Sequence, residues 1–243
     1  MRRRPAGGLD QVIAAALRVF AEKGYRRAQM SDVAREMRVA PGTLYGYVSG
    51  KEALFHLVVD RAFTVESDGP APRLPIATPP PGATLERLRR RLAADSALPA
   101  LERARRHDGP ADARAELEAI VGELYDRIAG AWQGIVMLER SALDWPELAH
   151  VFYVDMRRGL LGRIERYLHT RAQAGLLADA PSAPGAARFV LETVAWFAMH
   201  RHRDPDGELD DTTARRTAIT LIANAFTRAD RGAHPIRKER QRR

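Results

Sequence analysis

Apolar residues recur along this chain every three to four positions, and nowhere do they alternate for long enough to make a convincing strand. The pattern therefore predicts helices throughout. The first spans residues 9–23 and is stopped by Gly24. Two short helices follow over 30–37 and 41–47, joined by a tight turn. In the first of them Val33, Ala34 and Met37 share a face, and Val39 in the turn pins the pair together. Pro41 fits the first turn of the second, where its missing N–H costs nothing. A fourth helix opens near Ser49, where Ser49 and Glu52 have capping-box spacing, and extends to about residue 66.

Residues 68–83 contain PAPRLP and TPPPG and read as a loop between two parts of the chain. Beyond it the pattern predicts a helix from residue 84 that breaks near Pro99. A long amphipathic helix follows over 111–143, then one from Trp145-Pro146 to about 174 with Gly175 as its stop. The last two cover 186–201 and 214–229, the final one capped by Asp211 or Thr212. The expected fold is all-α: a small N-terminal three-helix head with a helix-turn-helix, and a larger helical body. The boundaries are 1–56, 57–229 and a basic tail over 230–243.

A helix-turn-helix puts its second helix in the major groove of DNA, and residues 31–54 have that shape. The resemblance here is specific. IAAALRVFAEKGY (13–25) and SDVAREMRVAPGTLYGYVSGKEALF (31–55) resemble the N-terminal domain of TetR/AcrR-family transcriptional regulators. Phe20, Gly24 and Tyr25 match that family's helix end, and Val33, Ala34 and Val39 its supporting helix and turn. Thr43, Leu44, Tyr45 and Tyr47 match its recognition helix, and Lys51 and Leu54 the next helix start. Three positions depart from the pattern. Arg38 stands where Gly is usual, which costs about 1 kcal/mol if φ is positive there. Ala40 replaces a Ser or Thr cap, again about 1 kcal/mol. Val48 stands where Phe is common.

Charge sharpens the picture. The net charge of +8 is segregated: residues 1–61 hold 11 Lys/Arg against six Asp/Glu, and residues 228–243 hold seven against two. The remainder is slightly acidic. A basic head is the electrostatic footprint of phosphate binding, whereas a non-specific DNA-binding protein, the main alternative, would carry a basic body. A regulator that answers to a protein partner remains open. With no cysteine, disulfides and thiol catalysis are excluded. Gly-rich phosphate loops and Ser nucleophile elbows are missing, so no enzyme, catalytic residue or cofactor is expected. His200 and His202 in HRHRDPDG read as a polar loop rather than a metal site. The apolar runs fall short of the ~20 residues a membrane span needs. Asp10, Arg18 and Glu22 interrupt what would be the core of an export signal, so a cytoplasmic protein without membrane contact is expected.

On the recognition helix Thr43 can read a base edge, while Pro41 and Gly42 touch thymine methyls or admit the backbone closely. Tyr45, Tyr47 and Lys51 are placed for phosphates. Ser31 and Arg35 reach from the supporting helix, and Arg2–Arg4 form an arm for a minor groove. Gly46 lacks the contact that a larger residue makes there, so specificity leans on few base contacts and on DNA shape.

The last two helices are hard for one chain to cover, because AARFVLETVAWFAM (186–199) is apolar nearly all round. The resemblance implies a two-fold dimer through a four-helix bundle, with Phe189, Val190, Trp196, Phe197, Ile219, Ile222 and Phe226 at the interface, and hence a palindromic operator in double-stranded DNA. It also implies a body that holds a small-molecule effector, apolar or aromatic, against Tyr125, Trp132, Phe152 and Met156. Ligand binding would then shift the fourth helix and release a repressor from DNA, with DNA weakening the ligand reciprocally.

Overall fold

The computed structural model describes residues 8–63, 72–95, 98–107, 109, 112–205, 207 and 209–227. The basic tail, the Arg2–Arg4 arm and the expected extension of the fourth helix to 66 lie outside the described residues.

Helix α1 (Gly8–Arg27) is interrupted at Gly24, whose φ of 76° ends the regular helix where the glycine predicts it. Helix α2 (Met30–Glu36) starts with a capping box between Gln29 and Asp32, and Asp32 is also held by Lys23 at 2.8 Å. Those bonds, Lys23 first and the Gln29 N–H second, keep the Asp32 carboxyl below the usual range. The turn after α2 places Arg38 at φ 56°, the left-handed conformation its position implies. Helix α3 (Pro41–Leu44) follows, with no side-chain cap from Ala40.

Helix α4 (Lys51–Ala62) departs from expectation at its start. Gly50 is the N-cap and no side chain caps the helix. Ser49 is instead drawn into a strand-like pairing with the Pro-rich segment. Its N–H donates to the Ile76 carbonyl at 2.8 Å, the Ile76 N–H donates to the Tyr47 carbonyl at 2.8 Å, and the Ser49 hydroxyl meets Thr78 Oγ1 at 2.9 Å. The loop expected between two parts is thus fastened to the end of the recognition helix.

The body contains α5 (Ala83–Asp95), α6 (Pro99–Arg106), α7 (Ala113–Ala142) and α8 (Pro146–Ala149), then a π-helical stretch over His150–Arg158 leading into α9 (Gly159–Gln173). Helices α10 (Ala183–Ala198) and α11 (Asp211–Phe226) complete it. Asp112, Ser182 and Asp210 cap α7, α10 and α11 by accepting backbone N–H bonds; the last cap falls one residue before the expected one.

Two hydrophobic cores organise these helices. One joins α6, α7, α9, α10 and α11. The other joins all four head helices to Leu88 and Leu92 of α5, Met137 and Leu138 of α7, and Leu148, Val151 and Phe152 beyond α8. Helix α4 runs without interruption through residue 56, so head and body share one apolar interior. Buried Arg171 locks the body: it donates to Glu116 on α7 and to the carbonyls of Ala104 and His107. A buried, paired arginine of this kind costs several kcal/mol to remove alone, because its carboxylate partner stays behind.

A candidate nucleic-acid interface and effector cavity

The outer face of the head is built by α2, the Arg38 turn and α3. Arg35, Pro41, Gly42 and Tyr45 are exposed there, and Ser31 and Thr43 are half-buried at its edge. A Cβ on Gly42 would meet nothing within 4 Å. Packing does not demand glycine at that position.

Two expected phosphate contacts sit differently. Tyr47 is only 3% exposed, and its hydroxyl is buried with no partner among the described residues. It extends the inward stripe of Leu44 and Val48 rather than reaching outward. Lys51 turns back onto α1. Its Nζ donates to the carbonyls of Arg26 and Ala28, both at 3.1 Å, and lies 4.8 Å from the Tyr25 ring centroid. Burial, with Arg26 adding to it, holds the Lys51 pKa below the ordinary lysine value. Lys51 therefore closes the end of α1 onto the start of α4.

The other end of α4 meets a cavity of about 1140 Å³. Ala62 and Phe63 line it, opposite Leu124, Ile128, Phe152, Met156 and Leu191. Small residues on α7, Gly130 and Ala131 among them, leave the space open. The π-helical stretch supplies Phe152, Met156 and Arg157; widened turns of this kind often occur at functional sites. Of the four expected pocket residues, Phe152 and Met156 are on the wall. Tyr125 and Trp132 are not: Tyr125 is buried in the core with its hydroxyl donating to the Phe197 carbonyl, and Trp132 stacks on His202. Phe63, Glu139, Arg157 and Arg163 also line the cavity, and no periodicity singles them out, because only the fold brings α4, α7, the π-helical stretch and α9 together.

The expected interface residues divide in the same way. Phe189 and Trp196 are 46% and 41% exposed, and Phe197 and Ile219 are half-buried. Val190, Ile222 and Phe226 are spent inside this chain's own core. Leu221, 52% exposed, stands outward on α11 instead.

Comparison with known proteins bears on the head first. Residues 12–58 match the family described as bacterial regulatory proteins, tetR family. The HTH-type transcriptional regulator YvdT of Bacillus subtilis is 33% identical over 64 residues, covering 26% of this chain and 33% of that protein. The chain thus spans about a third of the length of that curated relative. Among solved structures, the ketosteroid transcriptional regulator KstR2 of Mycobacterium tuberculosis superimposes with a TM-score of 0.56 at 15% identity, over 90% of this chain and 95% of that one. AibR, solved with isovaleryl coenzyme A and operator DNA, gives a TM-score of 0.52 at 17% identity, over 88% and 96%. These likenesses establish the fold of the body. The relatives are transcriptional regulators rather than enzymes, and among the described residues no helix is long and apolar enough to cross a membrane. The head, residues 12–58, is therefore a helix-turn-helix domain of the bacterial regulatory proteins, tetR family.

Proposed function

We propose that this protein is a cytoplasmic repressor that binds a palindromic operator as a homodimer and leaves it when a small, largely apolar ligand fills the body cavity. Residues 1–56 form the DNA-binding part, 57–229 the effector-binding and dimerising part, and 230–243 a basic tail. Ser31, Arg35, Pro41, Gly42, Thr43 and Tyr45 face the DNA, Thr43 reading a base edge. Lys51 spends two of its three N–H donors on carbonyls and keeps the third for a phosphate.

The observation that carries this reading is the position of α4. Its last turn and the residue after it, Ala62 and Phe63, are cavity wall, while its first residue fastens the end of α1 beside the recognition helix. A ligand pressing on Phe63 moves a rigid element whose far end positions the head. Two heads carried by a dimer then lose the spacing that successive major grooves require. Two relatives in fold support the ligand side: AibR was solved with isovaleryl coenzyme A and operator DNA, and KstR2 is a ketosteroid regulator by name.

Selection of bound DNA from a random pool at fixed salt tests the reading. Recovery of one palindrome is the expected result. Recovery of no motif, with binding that collapses as salt rises, would mean electrostatic affinity alone and would reject it.

A further inference from the structure

A second hollow of about 520 Å³ adjoins the large cavity, and Glu139 and Arg157 line both. The two spaces differ in chemistry. Apolar side chains such as Phe63, Ile128, Phe152 and Leu191 make up most of the first, whose charged groups Arg127, Arg163 and Arg215 are accompanied by Glu123 and Asp126. The second is walled by Arg157, Arg158, Arg188 and His200, with Tyr153 and Leu161, against the carboxylates of Glu139 and Glu192.

Those carboxylates do not balance the guanidinium groups. Arg157 and Arg188 both bond the same oxygen of Glu192. Arg158 has no ion pair among the described residues. Glu139 has no hydrogen bond or ion pair among them, and burial, only partly offset by His200, Arg157 and Arg203, pushes its carboxyl up toward the neutral form. The hollow is left with surplus positive charge next to a large apolar space. Arginine forks match the geometry of carboxylate and phosphate oxygens better than any other side chain does.

We propose that the ligand of the large cavity is an amphipath whose anionic head, a carboxylate or a phosphate, sits in the hollow against Arg157, Arg158 and Arg188. The apolar body occupies the main cavity and its head passes Glu139 at the junction. This assignment rests on the reading that the cavity holds the effector, and it adds the charge and polarity of the molecule.

Four probes sharing one dodecyl chain test it: dodecyl phosphate, dodecanoate, dodecanol and dodecyltrimethylammonium. Each is titrated into the full chain below its micelle concentration, with binding followed by calorimetry and operator release by fluorescence anisotropy. The two anions are expected to bind about tenfold or more tighter than the alcohol, and the cation most weakly. In Arg158→Ala and Arg188→Ala the ratio of anion to alcohol affinity should fall toward one. Equal affinity for anions and alcohol, combined with operator release, would overturn the head-group assignment and leave the effector cavity standing. Tightest binding of the cation would overturn it too, by assigning the head to Glu139. If no probe binds a protein that still holds its operator, this proposal and the effector reading both fail.

Discussion

A Cβ placed on Gly24 would stand 2.9 Å from the backbone carbonyl oxygen of Arg140. One residue on, the Tyr25 N–H donates to the Ser141 hydroxyl at 3.0 Å, and the Tyr25 ring packs against Phe55 and Trp145. The end of α1 is thereby docked directly on the end of α7. Gly24→Ala meets both a left-handed backbone and a backbone oxygen that cannot swing away, and should cost about 2–3 kcal/mol. Gly175→Ala is the control: its φ is 73°, but nothing lies within 4 Å of the added carbon, so about 1 kcal/mol is expected. Urea midpoints of the two variants decide; equal losses would mean that the contact with Arg140 contributes nothing.

Lys51 has a structural task and a proposed DNA task, and Lys51→Met separates them. Losing two carbonyl bonds and the contact with the Tyr25 ring should lower stability by about 1–2 kcal/mol. Losing a phosphate contact should lower the salt slope of DNA binding by about 1. If stability falls and the slope does not, Lys51 serves the fold alone.

Much of the head was readable from residue types. Gly24 ends a helix and Pro41 begins one by backbone preference alone, whereas Arg38 takes the left-handed turn against its own preference, at a position where the resemblance expects Gly. The inward position of Tyr47 is also readable, since Leu44, Tyr47 and Val48 fall at i, i+3 and i+4, a spacing that outweighs the placement for phosphate given to it from the sequence. Ser49 could not be read so. Its capping-box spacing is real, but pairing with Ile76, 27 positions away, outcompetes it. The cavity was hidden for a similar reason. Its walls depend on which small residues of α7 face α4 and the π-helical stretch, and one helix's periodicity does not specify its neighbours.

The two histidines that burial perturbs predict an acid sensitivity. Burial holds His56 below its ordinary 6.5, outweighing the opposing pull of Asp60, and its Nδ1 lies 3.1 Å from Thr84 Oγ1 between α4 and α5. His202 is lowered in the same direction by burial and Arg201. A depressed folded-state value means that the unfolded chain binds more protons, so the stability these groups contribute is present above pH 6.5 and lost as pH falls below it. Unfolding midpoints measured from pH 7.5 downward should decline from about 6.5, and His56→Gln should flatten part of that slope, leaving the share of His202. Identical slopes in variant and wild type would remove His56 from the account.

Phe189 and Trp196 lie seven positions apart on α10, and with Leu221 they form the outward apolar surface of the last two helices. Burying such side chains is worth about 1.5–3 kcal/mol each, and a stable pair of copies needs about 800 Å² from each partner. A two-fold bundle of α10 and α11 is the arrangement expected to cover these side chains, with Val190, Ile222 and Phe226 in the chain's own core behind the face. Sedimentation equilibrium should therefore give twice the chain mass of 27.0 kDa. Phe189→Glu combined with Trp196→Glu places two charges on the exposed face at positions that are not themselves buried core residues. That variant should keep its helical circular dichroism, sediment at the mass of one chain, and lose most of its operator affinity, because each head then binds a half-site without its twin. A wild-type chain that sediments as a monomer would refute the dimer; a variant that stays dimeric would move the interface off this face.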